Sequence, residues 1–171
     1  MTGPAPDPSS GAAEAERRHF RDVLSHFSTG VVVVTASSPD GPAGMTCQSV
    51  VSLSLDPPLV LFCPAKSSTS WPLIRAAGHF CINILAADQA ELCATFARSG
   101  GDKFGGVPWS PGVTGAPVLG GTLAHVESTL EVVYDGGDHE IAVGAVVDLS
   151  VRRTARPLVF FRGALLELPE G

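Results

Sequence analysis

The stretch Gly44-Met45-Thr46-Cys47-Gln48-Ser49-Val50-Val51-Ser52-Leu53-Ser54-Leu55-Asp56-Pro57-Pro58 packs small hydroxylated and amide side chains into what otherwise reads as strand, and it stops at a double proline. A core strand has little use for so many hydroxyls. Alternation places Val51, Leu53 and Leu55 on one face, where they are expected to meet a core. Thr46, Gln48, Ser49, Ser52 and Ser54 then fall on the other face or in irregular backbone, free to meet a polar ligand together with the main-chain N–H groups. The segment predicts a sheet edge that holds a flat, hydrogen-bonding molecule.

Upstream, Val31 to Thr35 is a continuous β-branched run suited to a strand buried on both faces, and Ser38-Pro39-Asp40-Gly41 supplies turn chemistry, so the two strands are expected to form a hairpin. Phe20, Val23, Leu24 and Phe27 recur at helical spacing and predict an amphipathic opening helix over residues 15–28, ended by Gly30. Downstream, Leu59 to Cys63 reads as a third buried strand. Ser70 is placed to cap a short helix running to about Ala77, and Gly78 closes it. Phe80 to Leu85 reads as strand and Asp88 to Arg98 as helix. After a Gly- and Pro-rich loop over residues 99–121, long strands are expected at Leu123 to Tyr134 and Glu140 to Val151, with a last one at Leu158 to Phe161. Strands that neighbour one another in sequence favour a mainly β, antiparallel barrel with short flanking helices over a doubly wound parallel sheet.

With 171 residues, 44% of them hydrophobic and 16% charged, one domain is expected over residues 17–171. Residues 1–16, rich in Pro, Ala, Ser and Gly and without the basic and apolar regions of a signal peptide, are expected to form a disordered tail. No apolar run approaches the ~20 residues of a membrane span. The net charge of −6 argues against nucleic acid as a partner. Four cysteines without CxxC pairing fit reduced thiols and a cytoplasmic location, and five histidines without HxH or HExxH spacing give no support for a metal site.

No GxGxxG, GxxxxGK[ST] or GxSxG motif is present, so a nucleotide must be held in some other way. Lys66-Ser67-Ser68-Thr69-Ser70 combines a cation, hydroxyls and the N–H groups of a helix start, which suits a terminal phosphate; plain capping beside a solvated lysine is the other reading. His139, after Gly136-Gly137-Asp138, sits in a turn open to an incoming ligand, although Gly-Gly-Asp is also ordinary turn chemistry. Lys103-Phe104 puts a cation and an aromatic ring on the glycine-rich loop, and Trp71 and Trp109 offer stacking surfaces or simple packing.

In order along the chain, Phe27-Ser28-Thr29-Gly30-Val31, Gly44 to Ser49, Ser52-Leu53-Ser54-Leu55-Asp56-Pro57-Pro58, Lys66-Ser67-Ser68, Asp102-Lys103-Phe104, Gly137-Asp138-His139 and Pro157 to Gly163 resemble the short-chain flavin reductase family. These are the FMN-binding split-barrel reductases that serve two-component flavin-dependent monooxygenases. The resemblance implies that Gly44, Met45, Thr46, Cys47, Gln48 and Ser49 line the isoalloxazine. It implies that Cys63, Pro64, Ala65, Ser68, Ser70 and Trp71 reach the ribityl chain and phosphate, and that Lys103 and Phe104 close over the phosphate end. His139 would seat the nicotinamide of NADH or NADPH for direct hydride transfer to FMN or FAD. It further implies a homodimer and a monooxygenase partner that receives reduced flavin. After Gly163, Ala164-Leu165-Leu166-Glu167 departs from the basic or aromatic residue usual in relatives. A flavoprotein that retains FMN and acts on a small substrate, and a non-catalytic flavin-binding module, are the alternative readings.

Overall fold

A computed structural model describes residues 8–168. Its opening helix α1 spans Pro8–Leu24 and is followed by β1 Thr29–Gly30, β2 Val32–Ser38, β3 Gly41–Cys47, β4 Val51–Leu55 and β5 Pro58–Phe62. Helix α2, Trp71–Ala77, leads to β6 His79–Ile84, and a 3-10 turn at Ala87–Gln89 leads to α3 Ala90–Ala97. The remainder is β7 Trp109–Pro111, β8 Pro117–Leu119, β9 Ala124–Gly136, β10 His139–Val151, β11 Leu158–Phe161 and β12 Ala164–Glu167. This is the mainly β, antiparallel split-barrel class expected. Seven strands pair antiparallel in the order β3-β2-β6-β9-β10-β5-β4, with smaller sheets β1-β11-β12 and β7-β8 beside them.

The β-branched run does what its composition requires. Val32, Val34 and Ala36 enter one apolar cluster with Phe62, Trp71, Ile74, Phe80 and Ile82. Val31 and Val33 enter a second with Leu85, Cys93, Phe96, Leu119 and Leu158. A strand buried on both faces has no solvent side on which to place polar residues, so its sequence does not alternate. The expected hairpin with β3 is present, its register running from Val32 opposite Cys47 to Ser38 opposite Gly41.

Four expectations need correction. The opening helix starts at Pro8, so residues 8–16, assigned to a disordered tail, are helical; residues 1–7 lie outside the described residues. Its apolar stripe is uncovered, with Phe20, Val23, Leu24 and the following Phe27 all exposed. Val51, Leu53 and Leu55 are also exposed rather than core-facing, Leu55 to 89%, because β4 is an edge strand paired only with β5. The third strand is likewise less buried than its apolar run suggested: Val60 and Phe62 are enclosed while Leu59 and Leu61 are only partly covered. One strand escaped the sequence reading: β12, which folds back on β11.

Candidate functional site

Gly44 to Cys47 form the second half of β3, which packs against α3, and Gln48 and Ser49 follow it. Gly44 is a close-approach position: a Cβ there would lie 2.6 Å from Phe96 Cε1 and 3.3 Å from Phe104 Cζ. The side chains that follow are held by the protein itself. Thr46 Oγ1 donates to the Cys93 carbonyl at 2.7 Å. Ser49 Oγ accepts from Cys63 N at 2.8 Å and donates to the Cys63 carbonyl at 3.2 Å, clamping the start of β4 to the end of β5. Cys47 is buried, its Sγ 3.2 Å from that same Ser49 hydroxyl. Of the six residues, Gln48 alone is exposed, so few side chains of this stretch are open to solvent.

Two hollows flank the stretch. A cavity of about 260 Å³ is lined by Met45, Thr46, Ala65, Ser67, Ser68, Thr69, Phe96, Ala97, Arg98, Ser99 and Lys103. A mostly apolar hollow of about 530 Å³ is lined by Phe27, Ser28, Thr29, Gly30, Gln48, Ser49, Val50 and Val51. At its wall the Thr29 hydroxyl is buried without a hydrogen-bond partner among the described residues. A planar ring carrying polar edge atoms and a phosphorylated chain suits this pair: apolar walls with an unmet hydroxyl at one end, hydroxyls and cations at the other.

The residues expected to hold a phosphate are used differently from the expectation. Lys103 is nine-tenths buried, not solvated: Nζ donates to Gly44 O and Ser70 Oγ at 3.1 Å and to Phe96 O at 3.3 Å, and burial lowers its pKa. Ser70 occupies the capping position of α2 but makes no capping bond; Ser68 Oγ instead accepts from Ser70 N and Trp71 N at 3.3 and 3.2 Å. The Ser70 and Trp71 N–H groups expected to bind an anion are therefore already taken. Lys66 pairs with Asp135. Trp71 faces the core, set edge-on against Phe62 with its Nε1 donating to Glu140, and lines neither hollow. Phe104 stacks edge-to-face on Phe96 at 5.0 Å and bounds a neighbouring hollow of about 330 Å³ with Gly44 and Ser70.

The hairpin joining β9 and β10 brings His139 to this rim. Ala65 and His139 form an isolated antiparallel bridge, Lys66 N donates to Asp138 O at 3.0 Å, and Glu140 N donates to Pro64 O at 2.9 Å. His139 Nδ1 donates to Asp138 Oδ1 at 2.7 Å, which holds the Asp138 carboxyl below its usual 3.8 and leaves Nε2 open. The Glu140 side chain accepts from Trp71 and from Arg75, at 2.8 Å in the second case, so α2 is fastened to the same hairpin. Cys63, Pro64 and Ala65 thus sit in the joint between the Gly44–Ser49 stretch and the His139 hairpin, Cys63 through its main chain.

Sequence reasoning missed Thr29, Arg98, Ser99 and Glu140. Thr29 lies within a motif that does not single it out, and the others stand in helix-end, loop or strand contexts that carry no local signature. One further group, His125, Glu127 and Asp148, brings three possible metal-ligand atoms within 4.8 Å. Its members are otherwise engaged: Glu127 accepts from Val113 N, Thr114 N and the Thr114 hydroxyl, and His125 Nε2 faces Asp148 at 3.2 Å. A metal on Nε2 would leave a buried Nδ1–H, and that atom has no acceptor among the described residues.

The family model described as flavin reductase like domain matches residues 24–169. The chain belongs to this family. Over 153 residues it is 50% identical to the reductase subunit HsaB of a flavin-dependent monooxygenase from Rhodococcus jostii, covering 89% of this chain and 78% of that protein. Among solved structures, nitrilotriacetate monooxygenase component B from Mycobacterium thermoresistibile superposes with a TM-score of 0.89 at 45% identity, covering 92% of this chain and 89% of that one. The NADH:FAD oxidoreductase SgcE6 of Streptomyces globisporus, solved with NAD and FAD fragments, gives a TM-score of 0.85 at 33% identity over 98% of both chains.

Proposed function

We propose that this protein is an NAD(P)H:flavin oxidoreductase that passes reduced FMN or FAD to a separate flavin-dependent monooxygenase. The observation that carries the reading is the fastening of His139, whose Nε2 has no partner among the described residues, to the Pro64–Lys66 segment, of which Ala65 lines the 260 Å³ cavity with Met45 and Thr46. When bound, the flavin supplies the hydride-accepting chemistry, so the chain needs no acid or base strong enough to do it. Its own residues bind and orient. Backbone groups of Gly44 to Ser49 position the ring, the Phe27–Gly30 and Val50–Val51 walls exclude water from it, and His139 seats the nicotinamide. Among flavin reductase relatives, those serving monooxygenases and SgcE6 with its NAD and FAD fragments support the reading.

The exposed apolar residues of α1 and β4 support a homodimer, since an uncovered set containing Phe20, Leu24, Phe27, Leu53 and Leu55 fits an interface better than a solvated surface. Among the described residues no helix is long and apolar enough to cross a membrane, and the four free thiols fit a reducing cytoplasm.

The test is NADH and NADPH oxidation with added FMN and FAD. Saturable acceleration with flavin that leaves the protein on gel filtration is the expected result. Absence of acceleration with all four pairings overturns the reductase reading, and flavin that stays bound through turnover overturns the release step.

A further inference from the structure

We infer that Arg98, rather than Lys103 or Lys66, grips the phosphate of the flavin nucleotide; this rests on the flavin site proposed above. An anion binds where donors are spare. An ammonium has three N–H groups, and those of Lys103 are met by Gly44 O, Ser70 Oγ and Phe96 O. Lys66 is paired with Asp135, and the N–H groups of Ser70 and Trp71 at the start of α2 are spent on Ser68 Oγ. Arg98 is exposed, lines the 260 Å³ cavity, and makes no hydrogen bond or ion pair among the described residues. Ser67, on the same wall, also has an uncommitted hydroxyl there, and Thr69 and Ser99 face each other across 3.4 Å.

Position and electrostatics agree. Arg98 is the residue immediately after α3, in extended backbone (φ −70°, ψ 152°), so it departs from the helix axis. The carbonyl end of a helix repels an anion, but here Lys103 satisfies the Phe96 carbonyl. Lys103 thus makes the cavity tolerant of an anion, and the planar guanidinium supplies the paired N–H groups that match phosphate oxygens. On a chain of net charge −6, a local cation is what draws an anionic flavin to this end.

The test compares riboflavin, FMN and FAD binding by quenching of flavin fluorescence, without nicotinamide, in the wild type, Arg98→Gln and Arg98→Lys. The wild type is expected to prefer FMN over riboflavin, and Arg98→Gln to shrink that preference by about tenfold, the scale of one charge-assisted contact; Arg98→Lys falls between. An unchanged FMN-to-riboflavin ratio in Arg98→Gln, or no preference in the wild type, overturns the assignment. NADH turnover with riboflavin in the same preparations keeps the two readings apart: its absence with every flavin counts against the reductase function, whereas turnover with an unchanged ratio counts only against Arg98.

Discussion

The Lys103 ammonium donates to the main-chain oxygen of Gly44 at 3.1 Å, tying together positions 59 apart in the sequence. With its bonds to Ser70 and Phe96, it joins the loop after α3, the start of α2 and β3 at one buried point. Lys103→Met keeps the stem but leaves these acceptors unmet. A stability loss of about 1–3 kcal/mol is expected in urea unfolding, along with weaker flavin binding. An unchanged midpoint would show that the buried bonds carry no net stability.

Gly44→Ala tests the close approach from the other side. Its Cβ would press on Phe96 at 2.6 Å, and the aromatic pair behind it must shift. About 1–3 kcal/mol of destabilisation is expected from overpacking, with a lower thermal midpoint as the readout.

His139→Ala is expected to raise the apparent KM for NADH on the order of tenfold while changing the flavin requirement much less, because His139 lines neither of the two hollows that flank the Gly44–Ser49 stretch. Equal losses in both would refute the nicotinamide assignment. The same substitution tests the ion pair. Asp138 titrates below 3.8 when His139 donates to it. The pair's contribution to stability is thus present above the unfolded value and disappears as pH falls through the lower folded one. In the variant, NMR titration should find Asp138 back near its usual value.

Thiol labelling in the native state should be ordered. Cys63 is the most accessible of the four, whereas Cys81 is fully buried and its thiol is pushed up to about 12 by burial first and by Glu127 second. Disulfide-exchange reagents are expected to reach Cys63 first and Cys81 only on unfolding; early loss of the Cys81 thiol would contradict the packing around β6.

Leu53→Asp or Leu55→Asp should shift the mass in light scattering from two chains toward one of 17.6 kDa, if a second copy covers β4. A monomeric wild type would remove the dimer from the proposal.

Local chemistry made much of this legible in the sequence. The β-branched run of β2, the turn at Ser38 to Gly41, the helix stop at Gly78 and the His139 hairpin each depend on dihedral preference or periodicity within a few residues, and each is where the sequence placed it. The order of motifs pointed to the family. What the sequence alone could not determine is which polar groups are left over for a ligand. Thr46 is spent on Cys93, Ser49 on Cys63, Ser68 on the start of α2, and Lys103 on three separate segments, all through contacts that only folding creates. Arg98 and Thr29 emerge as available because their neighbours found partners elsewhere. A hydroxyl-rich stretch announces hydrogen-bonding capacity in the sequence, but whether that capacity serves the protein or a ligand is a question of distance, and the tertiary structure alone fixes distance.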